Sequence, residues 1–336
     1  NDPARRVICV TPGDYRAAGM IVLRASGSPQ EPRFLRFHAS DGLPTALHRP
    51  ERAVYESLRI QGSWWVIQRL TIQPADPSSR WFVGIEGGDH NVLEGNLVDG
   101  SDYPGVQTHF GIAVAVWDRY VDPATHNVIR NNVVRNGNRE RRPIDYVGIG
   151  VNISAEPGAE NDFNEIRGNE IYDWGDGVAI NSGPEGCDYA GRPHGTVIDD
   201  NDIYITAAKR VDCADGRPDP NGDCSCSENG IDIKPDPGPD PALWTRVTNN
   251  RLWGFRPTRQ PSCGGSGANG DAIQAGNTCA GHVLVAGNIV LDSSSGVKSE
   301  GPGWVIAGNL IHGSGRGVFP LGSSSELMIA FNTIIA

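Results

Sequence analysis

The chain has 336 residues, a net charge of −11, 38% hydrophobic residues, 43 glycines and 24 prolines. That acidic balance argues against nucleic acid as a partner, since phosphate binding needs a basic face. No apolar run approaches the roughly 18 residues of a membrane-spanning helix, and so much Gly and Pro points to turns and short strands rather than long helices.

Residues 1–60 are the least regular part. Val7-Ile8-Cys9-Val10 and Arg33-Phe34-Leu35-Arg36-Phe37 read as strands of a first coil that caps one end. The chain begins Asn1-Asp2-Pro3 with no initiator Met and no signal peptide, as a mature secreted or surface protein does.

From residue 61 to 336 one motif recurs: two strand-like residues, a bend, an Asn and a second short strand. Val66–Ile72 is a degenerate copy with Leu70 in the Asn slot, and Val92–Val98 is the first full one. The Asn positions are 96, 132, 169, 201, 250, 288, 309 and 332. The last two gaps are 21 and 23 residues, one bare coil, and the earlier ones are 32 to 49, a coil plus loops. A second motif alternates with the first: Gly84-Ile85, Gly111-Ile112, Gly148-Ile149, Gly177-Val178, Gly230-Ile231, Ala272-Ile273, Gly296-Val297 and Gly317-Val318.

Repeats this short cannot bury themselves alone and must stack. They predict an all-β, right-handed parallel β-helix, a solenoid with three short strands per coil and about nine or ten coils. Stacked Asn side chains make a hydrogen-bonded ladder, and Asn and Gly tolerate the left-handed backbone of a sharp bend. A leucine-rich solenoid would need a Leu-x-x-Leu-x-Leu pattern that is absent. The last coil ends on Asn332-Thr333-Ile334-Ile335-Ala336 without a polar cap, an end that invites association.

Long loops interrupt the coils at 99–146, 152–163, 182–196, 204–228 and 235–270. They flank the Gly-Ile strand on both sides, which makes that strand the floor of a groove. Six of the seven cysteines, Cys187, Cys213, Cys224, Cys226, Cys263 and Cys279, fall in this loop-rich stretch. No Cys-x-x-Cys pair marks zinc. Three disulfides pinning the loops, in an oxidising compartment, is one reading; reduced, buried thiols is the other.

On the floor, alternation points Asn181, Asp232, Lys234, Gln274 and Lys298 outward, and Asp176, Asn229 and Asp271 make one row across successive coils. Glu228 adjoins them. Any one of these is ordinary surface polarity; together they gather acids beside lysine where the loops are longest. Such a set permits β-elimination on a uronic-acid polymer. A base removes the proton α to the carboxyl and a cation neutralises the enolate. Lys234 is the candidate base if its pKa is depressed. Asp232, Glu228 and Asp271 are candidate Ca²⁺ ligands, and such a cation would draw an acidic polysaccharide to an acidic cleft. Arg246 and Arg256 are candidate binders of sugar carboxylates. Trp174, Tyr189, Trp244, Trp253 and Phe255 either stack on sugars or anchor loops.

These motifs resemble the pectate-lyase-like β-helix superfamily over roughly residues 60–336. Glu228-Asn-Gly-Ile-Asp-Ile-Lys234 is similar to the acid-rich segment of the calcium-dependent, lysine-base pectate lyases, and Gly270-Asp271-Ala272-Ile273 to a segment one coil later. The resemblance implies Lys234 as base, with Ca²⁺ among the nearby acids. Gly175-Asp176-Gly177-Val178-Ala179-Ile180-Asn181-Ser182-Gly183 is similar instead to polygalacturonases, inverting hydrolases with paired Asp, although Gly175 stands where the first Asp of the pair belongs. Arg192-Pro193-His194-Gly195 resembles their Gly-His-Gly motif. The leading expectation is a secreted polysaccharide lyase. The alternatives are an inverting hydrolase using Asp176, Asp232 and Asp271, and a non-catalytic glycan-binding or adhesion module.

Overall fold

The computed structural model describes residues 6–37, 53–77, 81–101, 103, 110–114, 123–137, 146–151, 161–181, 193–207, 228–256 and 270–335. Among the described residues three parallel sheets, of eleven, eleven and ten strands, run side by side, and each strand pairs with its counterpart one coil away. This is the expected right-handed parallel β-helix. The third sheet consists of the Gly-Ile strands, among them Val147–Val151, Asp176–Ile180, Asn229–Ile233, Asp271–Ala275, Ser295–Ser299 and Arg316–Pro320. Val7–Val10, Gly13–Asp14 and Met20–Leu23 are already the first strand of each sheet, so the irregular N-terminal region winds as a coil itself. Most residues of the long insertions lie outside those described.

The core is a continuous column of aliphatic side chains, one layer per coil. Ile149, Val178, Ile231, Ile273 and Val297 stack in register and are fully buried. Trp174 and Phe255 are 1% exposed within this core, so neither reaches a sugar. Trp253 stacks on Tyr204 at 4.2 Å on the outer face of the second sheet.

The Asn ladder forms as expected. Each side-chain Nδ2 donates to the Oδ1 of the next coil's Asn at 2.9–3.0 Å, from Asn96 through Asn132, Asn169, Asn201, Asn250, Asn288 and Asn309 to Asn332. The left-handed residue is not the Asn but its predecessor: Gly95, Asn131, Gly168, Asp200, Asn249, Gly287 and Gly308 all have φ between 54° and 68°. The bend is thus made by one residue and hydrogen-bonded by the next. At the last coil Ile329 and Ile334, register partners of the buried Ile306 and Ile311, are exposed. Cys9 is a free, exposed thiol and Cys279 is disulfide-bonded; the other five cysteines lie outside the described residues.

Candidate active site

Two rows cross the outer face of the third sheet. Asp176, Asn229, Asp271, Ser295 and Arg316 stack in register, and beside them Ala179, Asp232, Gln274, Lys298 and Phe319. The residue following each strand extends a third row, because Lys234 N–H donates to Ile180 O and Gly276 N–H to Ile233 O. That places Asn181, Lys234 and Gly276 on successive coils, about 4.8 Å apart.

The face is not a wash of solvated polar groups. Asp176, Asn229, Asp232, Asp271 and Gln274 are each 5% exposed or less. On the coil of Asp176 and the two before it, Phe110, Ala113, Val147 and Ala179 form a second apolar cluster outside the main core. Lys234 and Lys298 are partly exposed, with side-chain accessibilities of 32% and 19%. The whole sequence holds three lysines, Lys209, Lys234 and Lys298, and two of them stand here.

The polar groups are linked into a chain. The Lys234 ammonium is ion-paired with Asp232 Oδ2 and donates to Asn181 Oδ1 at 3.3 Å. Gln274 Nε2 donates to the other oxygen of Asp232 at 3.3 Å, and Lys298 Nζ to Gln274 Oε1 at 3.3 Å. Lys298 also lies 4.0 Å from Asp271 Oδ2. In the neighbouring row Asn229 Nδ2 donates to Asp176 Oδ1 at 3.0 Å, while its own buried Oδ1 has no hydrogen-bond partner among the described residues.

Burial and crowding set the protonation states. Burial, followed by the charges of Glu228 and Asp232, pushes the Asp176 carboxyl well above the ordinary carboxylate range against the opposing Lys234 and Asn229. Burial also raises Asp271, against a hydrogen bond from Ser295 and the charges of Lys298 and Arg316. Burial opposes the charge on Lys234, yet Asp232, Asp176 and Glu228 outweigh it and hold the ammonium above an ordinary lysine. The depressed lysine expected of a resting base is therefore absent: Lys234 rests charged.

Asp176, Asn181, Glu228, Asp232, Lys234, Asp271 and Lys298 thus come together, and Gln274 and Gly276 join them. A Cβ on Gly276 would meet Lys234 Cγ at 2.9 Å and Asp232 Cγ at 3.1 Å, with Asp232 Oδ1 closer still, so only glycine lets the pair lie across that coil. Acids gathered beside lysine, where the loops are longest, were the signal in the sequence that singled this face out. The other candidates sit elsewhere. Arg246 is exposed on the first sheet, where its guanidinium donates to Pro241 O at 3.3 Å. Arg256 is ion-paired with Asp292 at the bend before the third sheet. His194 and Trp244 occupy the bend after it: His194 Nδ1 lies 3.1 Å from both oxygens of Asp162, and Trp244 packs on His282.

The calcium set does not converge. Asp232 and Asp271 belong to different rows, and both oxygens of Asp232 are engaged by Lys234 and Gln274. Among the described residues no three His, Cys, Asp or Glu side chains are placed to hold a metal ion. Ca²⁺ takes six to eight oxygens, and this donor set does not fit it.

No family model matches the chain, and no curated protein matches it. Solved structures do. An alginate lyase from Paenibacillus sp. str. FPU-7 is similar over 98% of this chain and 92% of its own, with 18% identity and a TM-score of 0.57. The pectate lyase Pel9A is similar over 95% of this chain and 69% of its own, at 13% identity and a TM-score of 0.57. A mannuronic acid-specific polysaccharide family 6 lyase from human gut microbiota is similar over 97% of this chain and 68% of its own, at 12% identity and a TM-score of 0.62. At these identities the likeness establishes the shared fold.

Proposed function

We propose that this chain is a polysaccharide lyase that cleaves a uronic-acid-containing polysaccharide by β-elimination on the outer face of its third sheet. The observation that carries this reading is Lys234, a partly exposed amine among buried carboxyls on the floor strand. Its ordinary rest state is charged, and its neutral form is a base strong enough for a proton α to a carboxylate. Removing that proton leaves an electron pair that forms the ring double bond and expels the glycosidic oxygen, which takes up a proton. Lys298, two coils along the same face, is the cation for a substrate carboxylate. Structural neighbours named for alginate and pectate support the substrate class, and such a substrate fits a secreted or surface protein.

The test is product absorbance near the ultraviolet edge when the protein is mixed with a panel of uronate polymers. Wild type should yield unsaturated ends, and Lys234→Met should lower the rate by about 10²–10⁴-fold, the usual contribution of a general base. No unsaturated product from any polymer in the panel would sink the lyase reading.

A further inference from the structure

We infer that the groove on the third sheet is open at one end only. A uronate chain runs from Lys234 towards the C-terminal coils, where Arg316 binds a second sugar carboxylate, and it is shortened from an end. The inference rests on the lyase reading of the same site and adds how the substrate lies in it.

Register shows the sheet changing character along its length. Before Asp176 and Asp232 its two outward rows are apolar: Phe110 and Val147 lead to Asp176, and Ala113, Gly150 and Ala179 lead to Asp232. Phe110, Ala113, Val147 and Ala179 are each 8% exposed or less, and Trp81 packs against them. Further back, Arg59 lies over Trp81 at 4.7 Å, but it is 7% exposed and paired with Glu86 at 2.9 Å, so its charge is already neutralised. A carboxylate entering that half would lose its water among apolar side chains, which is costly. The block begins at Ala179, one coil before Asp232 and Lys234, so only a short stub of sugar fits on that side.

Towards the other end the same rows open. Ser295 is followed in register by Arg316, and Lys298 by Phe319. Lys298 is partly exposed and Arg316 exposed. The Arg316 guanidinium lies over the Phe319 ring at 4.1 Å and makes no ion pair among the described residues. On the other sheets Arg130, Arg135 and Arg251 are each paired with an acid one coil away. A guanidinium held over a ring and free of acids keeps its N–H fork for an incoming carboxylate. Arg316 stands three coils past Lys234, about 14 Å along the axis, with Lys298 one coil nearer. Cations spaced along the axis meet carboxylates spaced along a uronate chain, and they make a locally attractive patch on an acidic protein.

Two measurements on the whole chain test this. The first follows the products of wild type on the polymer it cleaves, by size-exclusion chromatography beside viscosity. Unsaturated fragments of one short size should appear from the start, with viscosity lagging behind absorbance. A broad ladder of sizes at early times, with viscosity falling first, overturns the one-ended groove and leaves the lyase reading intact. The second needs no turnover: calorimetric binding of a galacturonate trimer and of a mannuronate trimer to Lys234→Met, or to Lys234→Gln should the first fail to fold. Adding Arg316→Gln should weaken binding about tenfold or more, because hydrogen bonds to a charged group are lost, and Arg316→Lys should recover part of it. Equal binding with and without Arg316, or no binding of either trimer by the parent, overturns the Arg316 subsite. Trimer binding that depends on Arg316 in a protein yielding no unsaturated product keeps the subsite and removes the lyase reading, and release from a chain end with it.

Discussion

Gly276→Ala is the substitution whose effect is most directly legible in the geometry. The new methyl carbon would start 2.9 Å from Lys234 Cγ and 3.1 Å from Asp232 Cγ, whereas carbons in ordinary contact are about 3.5–4.0 Å apart. The pair must therefore retreat by about 0.6–1 Å. The Lys234 side chain ends in partly open space and can shift, whereas Asp232 is buried and has less room to give. Overpacking of this kind costs about 1–3 kcal/mol, and in a chain of this size that lowers Tm by a few degrees. Catalysis is less tolerant, since a misplacement of about 1 Å can cost 10²-fold. We expect kcat/KM to fall by about ten- to a hundredfold on the polymer that wild type cleaves, with β-sheet circular dichroism unchanged. The assay is continuous absorbance of the unsaturated product, run beside thermal unfolding. A well-folded Gly276→Ala protein within threefold of wild-type activity would refute the claim that the Lys234–Asp232 pair must lie across that coil.

Three further outcomes are expected. Because Lys234 rests charged and only its neutral form removes a proton, kcat/KM should climb with pH on the alkaline side, along a limb lying above an ordinary lysine's range; a profile already flat at neutral pH would exclude Lys234 as the base. Asp176 has a raised folded pKa, so its contribution to stability is full below the unfolded carboxyl's pKa and is lost as pH rises through the folded value. Asp176→Asn should therefore raise Tm at neutral pH and leave it little changed at about pH 4; an equal effect at both pH values would contradict a carboxyl whose pKa burial has raised. Asn201→Ala removes donations to Asn250 Oδ1, Ile166 O and Asp199 O and the acceptor of two N–H groups of Asn169, all at 2.9–3.0 Å. Buried partners left unpaired cost about 1–3 kcal/mol each, so urea unfolding should show a loss of about 3–5 kcal/mol, and a loss under 1 kcal/mol would mean the ladder is ornamental.

The candidate site was legible where strand register carries it and illegible where bends do. Asp176, Asn181, Asp232, Lys234, Asp271 and Lys298 sit on strands or one residue past them, and alternation with a period of two fixes which face such residues take. Arg246, Arg256, His194 and Trp244 flank bends, where closeness in the chain says nothing about direction; Arg246 turned onto another sheet altogether. The aromatics stayed open between stacking and anchoring for a related reason. Trp174 and Phe255 close core layers at the corners, and a corner residue can point inward or outward without changing the motif around it. Register also separates two of the candidate calcium ligands: Asp232 and Asp271 are neighbours in consecutive coils but fall on different rows.

What the sequence determined by itself is the coil. An Asn at every bend and an aliphatic pair in every strand have one arrangement that satisfies both, since the amides can bond only to their copies one coil away and the apolar residues can be buried only by stacking. The protonation pattern came from the tertiary structure alone. Whether Lys234 is a depressed base or a charged ammonium depends on how many carboxylates share its low-dielectric surroundings, and those belong to segments as far apart in the chain as Asp176 and Asp232. Electrostatic energy is summed over distances in space, and no spacing in the sequence encodes them.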